Sequence, residues 1–303
     1  MTQSDETSTI APWMGDVDPS QLGFPFEIDR SRYEKQPGLV YKKTATGDQH
    51  LDFYRPLGTT EPPPLILMIH GGGWRGGGRY QMGLTRWAGY LAASGLAVAS
   101  IDYRLAPETT YPDSFQDCLD ALDWTVDQAA TLGINSNRIG LWGDSAGGHL
   151  ALLLGTSQTR EDYPGPRART PADRIQAVVA LYPPTDLVAL HEAERRFHDG
   201  PTATASFVGV NPEDNGAVWG QVSPIEQVHK QTPPTLILQG TRDLLVPHQQ
   251  AVDYAAQAKR VGAPHELHLV ENAVHGFDRV APDSEARRLI ERSRDFLLNQ
   301  LTE

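Results

Sequence analysis

The sequence predicts an α/β fold: a mostly parallel sheet of eight strands with helices on both faces and a small cap. From Leu65 onward, short apolar runs rich in β-formers alternate with longer segments of helical period, as a parallel sheet with crossover helices requires. The runs are Leu65–Ile69, Leu96–Ile101, Arg138–Trp142, Ala177–Leu181, Leu236–Leu238 and Glu266–Val270. Each is nearly continuous rather than alternating, so each suits a strand covered on both faces. Helices are expected between them near 80–93, 114–131, 145–154, 247–261 and 284–301. Two earlier stretches, Leu39–Lys43 and Gln49–Arg55, alternate apolar with polar residues. With Thr46-Gly47-Asp48 between them they read as a hairpin at the sheet edge, completing eight strands.

A chain of 303 residues favours one sizeable domain with a modest accessory part. Its 26 Lys and Arg against 38 Asp and Glu leave a net charge of −12, which repels a nucleic-acid backbone or an anionic membrane surface. Neither is expected as a partner. Hydrophobic residues at 39% and charged ones at 21% fit a globular core. The single cysteine, Cys118, can form neither an internal disulfide nor a thiolate cluster, and on a helix between Asp117 and Asp120 it reads as an inert thiol. The first residues carry two acids and no basic group before any apolar stretch, unlike a secretory signal. No run reaches membrane-span length, so the cytoplasm is the expected compartment.

Two regions break the rhythm. Residues 1–37 scatter Trp13, Met14, Phe24 and Phe26 among Gly, Pro and acids, and residues 183–233 hold Phe207, Val208, Val218 and Trp219 in Gly/Pro/Asn-rich sequence. Large apolar side chains need a place to be buried, and open α/β sheets bind ligands at the carboxyl ends of their strands. The expected organisation is an N-terminal cap segment at 1–37 and a catalytic domain at 38–303, with 183–233 contributing a cap insertion.

Ser145 lies in Gly143-Asp144-Ser145-Ala146-Gly147, after one predicted strand and before a helix. This is G-x-S-x-G in the context its sharp strand-to-helix turn demands, with glycine where the turn leaves no room. The serine also stands at a helix N-terminus, where unpaired amides favour negative charge. His70-Gly71-Gly72-Gly73-Trp74 follows the Leu65–Ile69 strand directly. Its glycines can turn their amides toward one point; beside Ser145 this suits an oxyanion hole better than a flexible loop.

A serine hydroxyl needs a base, and the base an orienting acid. Of ten histidines, His275 stands in a short loop just past the last predicted strand, and Asp243 follows the strand Leu236–Leu238, both at carboxyl ends. Asp186, after the preceding strand, is a competing acid. His149 reads as packing against the sheet, and Asp144 as pointing away from the base. No His-Glu-x-x-His, clustered ligand pattern, G-x-G-x-x-G or Walker loop occurs, so no metal or cofactor is expected.

On His70-Gly-Gly-Gly-Trp74, Asp102-Tyr-Arg-Leu-Ala-Pro-Glu108, Gly143-Asp-Ser-Ala-Gly147 with Gly148-His149, and Asp243 with His275-Gly-Phe277, the chain from about residue 38 resembles α/β-hydrolases of the hormone-sensitive-lipase type. It is also similar to small feruloyl-esterase-like and kynurenine-formamidase-like hydrolases. The resemblance implies an α/β-hydrolase fold and a carboxylesterase acting on small-molecule esters of short to medium acyl chain. By it, Ser145 is the nucleophile, His275 the general base, Asp243 the orienting acid, and the amides of Gly72, Gly73 and Ala146 the oxyanion donors. His70 would hold the glycine loop, and Tyr103-Arg104-Leu105 with Glu108 a turn near the site. Trp74 is a candidate for lining the substrate pocket, as are Trp13, Phe24 and Phe207, although ordinary packing serves each as well. An arylformamidase using the same residues and a non-catalytic small-molecule receptor are the alternatives, and a homodimer is an admissible assembly.

Overall fold

Alternate residues along each central strand enter two separate cores. The computed structural model describes residues 24–197, 200–279 and 284–302. Its strands are β1 (Tyr33–Thr44), β2 (Gly47–Pro56), β3 (Pro64–Ile69), β4 (Ala97–Ile101), β5 (Asn135–Asp144), β6 (Ile175–Leu181), β7 (Thr235–Gly240) and β8 (His265–Val270). They form one sheet in the order β1-β2-β4-β3-β5-β6-β7-β8. Pairings of β1 with β2 and of β2 with β4 are antiparallel, and the rest are parallel. In β3, Leu65, Leu67 and Ile69 join one core while Ile66 and Met68 join the other. A two-residue period with both faces covered explains why this strand reads as one continuous apolar run.

The helices divide between the two faces. On one side α2 (Asp113–Asp127), α4 (Ala146–Gln158) and α9 (Gln249–Val261) contribute Phe115, Leu122, Leu150, Leu153 and Tyr254 to a core. On the other, α1 (Met82–Ala93) and α10 (Ser284–Thr302) contribute Trp87, Leu91, Ile290 and Leu297. A four-residue helix, α3 (Ala129–Leu132), follows α2. Every residue of α4 is buried, its apolar run Leu150–Leu154 in the core and the buried Thr156 hydroxyl bonded back to the Leu152 carbonyl at 2.8 Å. Cys118 is buried on α2, and burial pushes its thiol well above the ordinary range, which suits an inert side chain.

Three details depart from expectation. The hairpin turn is Ala45-Thr46, one residue earlier than Thr46-Gly47-Asp48, because Gly47 already pairs with Thr44. The strand β1 begins at Tyr33, so residues 33–37 belong to the sheet rather than to a cap segment ending at 37. Phe24 and Phe26 pack on Trp87 and Tyr90 of α1, with ring centroids 4.7–5.8 Å apart, while Trp13 and Met14 lie outside the described residues. Within 183–233 the chain forms α5 (Leu187–Arg195), α6 (Ala203–Val208), α7 (Gly216–Gln221) and α8 (Pro224–Gln227). Phe207, Val208 and Trp219 are buried there, and the Phe207 carbonyl accepts from the Tyr111 amide at 2.7 Å.

Candidate active site

Ser145 connects β5 to α4 with φ +53°, a left-handed conformation that a non-glycine residue rarely adopts. Crowding on either side accounts for the flanking glycines. A Cβ on Gly143 would stand 2.7 Å from the Gly148 nitrogen and collide with the Gly147 carbonyl, and one on Gly147 would meet the carbonyl oxygens of Ile69 and His70. The turn is held by the Ser145 amide donating to the Leu181 carbonyl at 2.8 Å.

The structure brings Ser145, His275 and Asp243 together. His275 Nδ1 lies 2.7 Å from Asp243 Oδ2 and its Nε2 lies 2.9 Å from Ser145 Oγ. Since a carboxylate only accepts, Nδ1 carries the proton in the neutral ring and Nε2 receives the serine hydroxyl. Asp243 is nearly buried and well supplied with donors: the Leu245 and Val246 amides reach Oδ1 at 2.9 Å, and the Gln239 amide reaches Oδ2 at 3.0 Å. These bonds fix the acid's plane. Gln239, just past the predicted strand Leu236–Leu238, carries no sequence signal for this role. Asp186 is elsewhere, its side chain capping α5 at the Ala189 amide, 3.0 Å away.

Asp144 also turns away from the base. Its Oδ1 accepts from the Gly71 amide at 2.9 Å and its Oδ2 pairs with Arg279, so the residue before the serine pins the glycine loop to the elbow. A second buried group backs this pair: Asp278 accepts from Tyr182 at 2.7 Å and from Trp87 at 2.8 Å, and the Tyr182 ring lies 4.5 Å from that of His275. Neither Tyr182 nor Arg279 carried a sequence signal. His70 is buried, its Nδ1 donates to the Gly71 carbonyl at 2.7 Å, and its ring stacks on Tyr103 at 4.3 Å. Arg104 binds the buried Asp117 of α2 at 2.8 Å.

Ser145, His275, Gly72 and Gly73 line a cavity of about 420 Å³. Gly72 at φ +124° and Gly73 at φ +59° have backbone conformations that favour glycine. The amides of Gly72, Gly73 and Ala146 donate to no other described residue, and Ala146 opens α4 directly after the serine.

Trp74 does not line this cavity. It is 2% exposed, stacks on Phe207 with centroids 5.0 Å apart, and donates from Nε1 to His149 Nδ1 at 3.2 Å. Its place as a pocket residue is therefore corrected: together with Phe207 it is core beneath the glycine loop, since a flat ring with one donor finds both apolar contact and an acceptor there. His149 likewise does more than pack. Its Nε2 donates to the Val222 carbonyl at 2.7 Å, so one imidazole ties the loop to the 183–233 segment.

Burial pushes the His149 imidazole down to about 4 from its ordinary 6.5, with the Val222 carbonyl opposing part of the effect. Because the folded state holds this ring neutral, its stabilising contribution is complete above pH 6.5 and is lost as the pH falls through about 4. Over that window the loss is about 3 kcal/mol. Unfolding in urea at pH 7 and at pH 4.5 should show the drop, and His149→Asn should reduce the pH dependence; an unchanged pH dependence would refute the linkage.

Comparisons with known proteins place the chain in a family. The BD-FAE family profile matches residues 51–257. Esterase LipC of Mycobacterium tuberculosis is 32% identical over 226 residues, covering 72% of this chain and 54% of its own length, so the chain spans about half of that relative. An ethyl acetate hydrolase of Pseudomonas putida is 29% identical over 83% of this chain and 82% of its own. Among solved structures, esterase Est2 of Thermogutta terrifontis superposes with a TM-score of 0.69 at 26% identity, covering 88% of this chain and 92% of that one. A truncated carbohydrate esterase from gut microbiota shares the fold, with a TM-score of 0.75 at 24% identity over 92% of this chain and all of its own. With the family match running from β2 to beyond β7 and taking in the glycine loop and the serine elbow, the chain belongs to the BD-FAE family and has the α/β-hydrolase fold.

Proposed function

We propose that this chain is a carboxylesterase, hydrolysing small-molecule esters of short to medium acyl chain through a serine acyl-enzyme. The supporting observation is the hydrogen-bonded chain from Ser145 through His275 to Asp243, at 2.9 and 2.7 Å on the wall of a cavity. Ser145 Oγ attacks the ester carbonyl as His275 Nε2 takes its proton, and Asp243 offsets the charge gained by the ring. The negative charge on the carbonyl oxygen is met by the amides of Gly72, Gly73 and Ala146. Collapse expels the alcohol with the proton held by His275, and water repeats the sequence to release the acid and restore the serine. Each oxyanion amide contributes on the order of a hundredfold in rate.

The 183–233 segment acts as the cap: Ala203 of α6 lines the cavity, and Phe207 packs on Trp74 beneath the glycine loop. A cavity of about 420 Å³ is of ordinary small-ligand size. A homodimer is read out by light scattering.

The purified chain should turn over 4-nitrophenyl acetate and butyrate, lose that activity when a reactive organophosphate labels Ser145, and favour these esters over N-formylkynurenine. Preference for the formamide would favour amide hydrolysis. Ligand binding without turnover of any ester, or inactivation with the label on another residue, would defeat the assignment.

A further inference from the structure

The charge facing the substrate has the opposite sign to that of the molecule. The chain carries −12 overall, yet among the described residues its catalytic cavity is lined by two arginines, Arg75 and Arg279, and by a single acid, Asp144. The Asp144 side chain is 2% exposed and committed to Arg279 and the Gly71 amide, whereas Arg279 remains 32% exposed. Among the described residues, a ligand in the cavity therefore meets guanidinium groups and no accessible carboxylate. Low-dielectric walls strengthen such a local field against the surrounding negative charge.

Arg75 is the more available of the two. It follows Trp74 at the end of the glycine loop, is exposed, and forms no ion pair or side-chain hydrogen bond with any described residue. By contrast, Arg55, Arg79, Arg104 and Arg292 are all paired with carboxylates. A planar guanidinium matches a carboxylate in two parallel hydrogen bonds. The Arg279 charge is partly spent on Asp144, so it shapes the field while Arg75 supplies the contact.

Taking the proposed ester hydrolysis as given, we infer that Arg75, backed by Arg279, selects esters that carry a free carboxylate elsewhere in the molecule. The contact holds the substrate's remote anionic group while Ser145 attacks the ester carbonyl, so it acts on specificity rather than on bond-making.

Two pairs of probes test this and distinguish the acyl from the alcohol side: mono-4-nitrophenyl glutarate against 4-nitrophenyl hexanoate, and 4-acetoxybenzoate against 4-acetoxybenzamide. In at least one pair the anionic member should have a kcat/KM about tenfold higher, with the advantage carried mainly in KM and shrinking as salt rises. Within that pair the ratio should fall close to one in Arg75→Gln, invert in Arg75→Glu and survive largely in Arg75→Lys. Because Arg75 is exposed and pairs with no other described residue, a thermal melt of each variant should match that of the parent protein. Hydrolysis of the neutral members with no anionic advantage in either pair would overturn the inference and leave the esterase activity standing. An equal loss on both members in Arg75→Gln would overturn it too, since the guanidinium would then be serving the oxyanion. If no member of either pair is hydrolysed, the esterase activity fails and the inference falls with it.

Discussion

Ser145→Ala is expected to cut the turnover of 4-nitrophenyl butyrate by on the order of 10⁵-fold or more, while the protein still folds. The alanine removes only the hydroxyl that donates to His275. The elbow is held by backbone bonds that any residue makes, including that from the residue 145 amide to Leu181. His275 stays anchored through Nδ1 to Asp243, and Asp243 through three other donors. What remains is a cavity that binds ester near a base, with the glycine-loop amides still present. Such remnants give modest acceleration over water and no acyl-enzyme. Steady-state turnover and organophosphate labelling check this together, with far-UV circular dichroism as the control. A variant retaining activity within tenfold would remove Ser145 from the mechanism.

Gly147→Ala should be the most damaging single methyl addition near the site. Its Cβ would strike the Ile69 carbonyl and stand 2.6 Å from that of His70, and both are backbone atoms that cannot rotate aside. Either α4 lifts from the end of β3 or β3 shifts within its ladder. Overpacking against backbone costs about 3 kcal/mol, read as a lower urea midpoint at unchanged m. The same displacement carries Ser145 away from the glycine loop, so activity should fall further than stability alone explains. Gly220→Ala is the control. An added Cβ there has open space around it, and alanine in place of a helical glycine is neutral or stabilising by up to about 1 kcal/mol. Equal behaviour of the two variants would show that close approach at the elbow does not constrain the fold.

The legible parts of this site are those whose requirements are local. Gly143 and Gly147 betray the elbow because the turn around Ser145 leaves them no room. The strands are visible because β3 and its neighbours are covered on both faces. His275 and Asp243 stand out because each follows directly on a strand, and the carboxyl ends of parallel strands all lie at one edge. Trp74 was harder to place, since an aromatic beside a glycine loop serves a pocket or a core equally well. Its stacking on Phe207 depends on a segment more than a hundred residues away. Gln239 and Arg279 were invisible for the same reason: a glutamine at a strand end and an arginine in a loop acquire meaning only from Asp243 and Asp144 across the fold.

Sequence alone settled the α/β architecture, the serine turn and the order in which its partners occur, because hydrophobic period and backbone crowding act between near neighbours. It could not settle the sign of the charge inside the cavity. Arg75 and Arg279 are separated by most of the chain, and a total of −12 suggests the opposite field. Only the tertiary fold sets both arginines around one cavity and commits the buried Asp144 to Arg279 and the Gly71 amide, and electrostatic attraction depends on distance in space and on burial, not on separation along the chain.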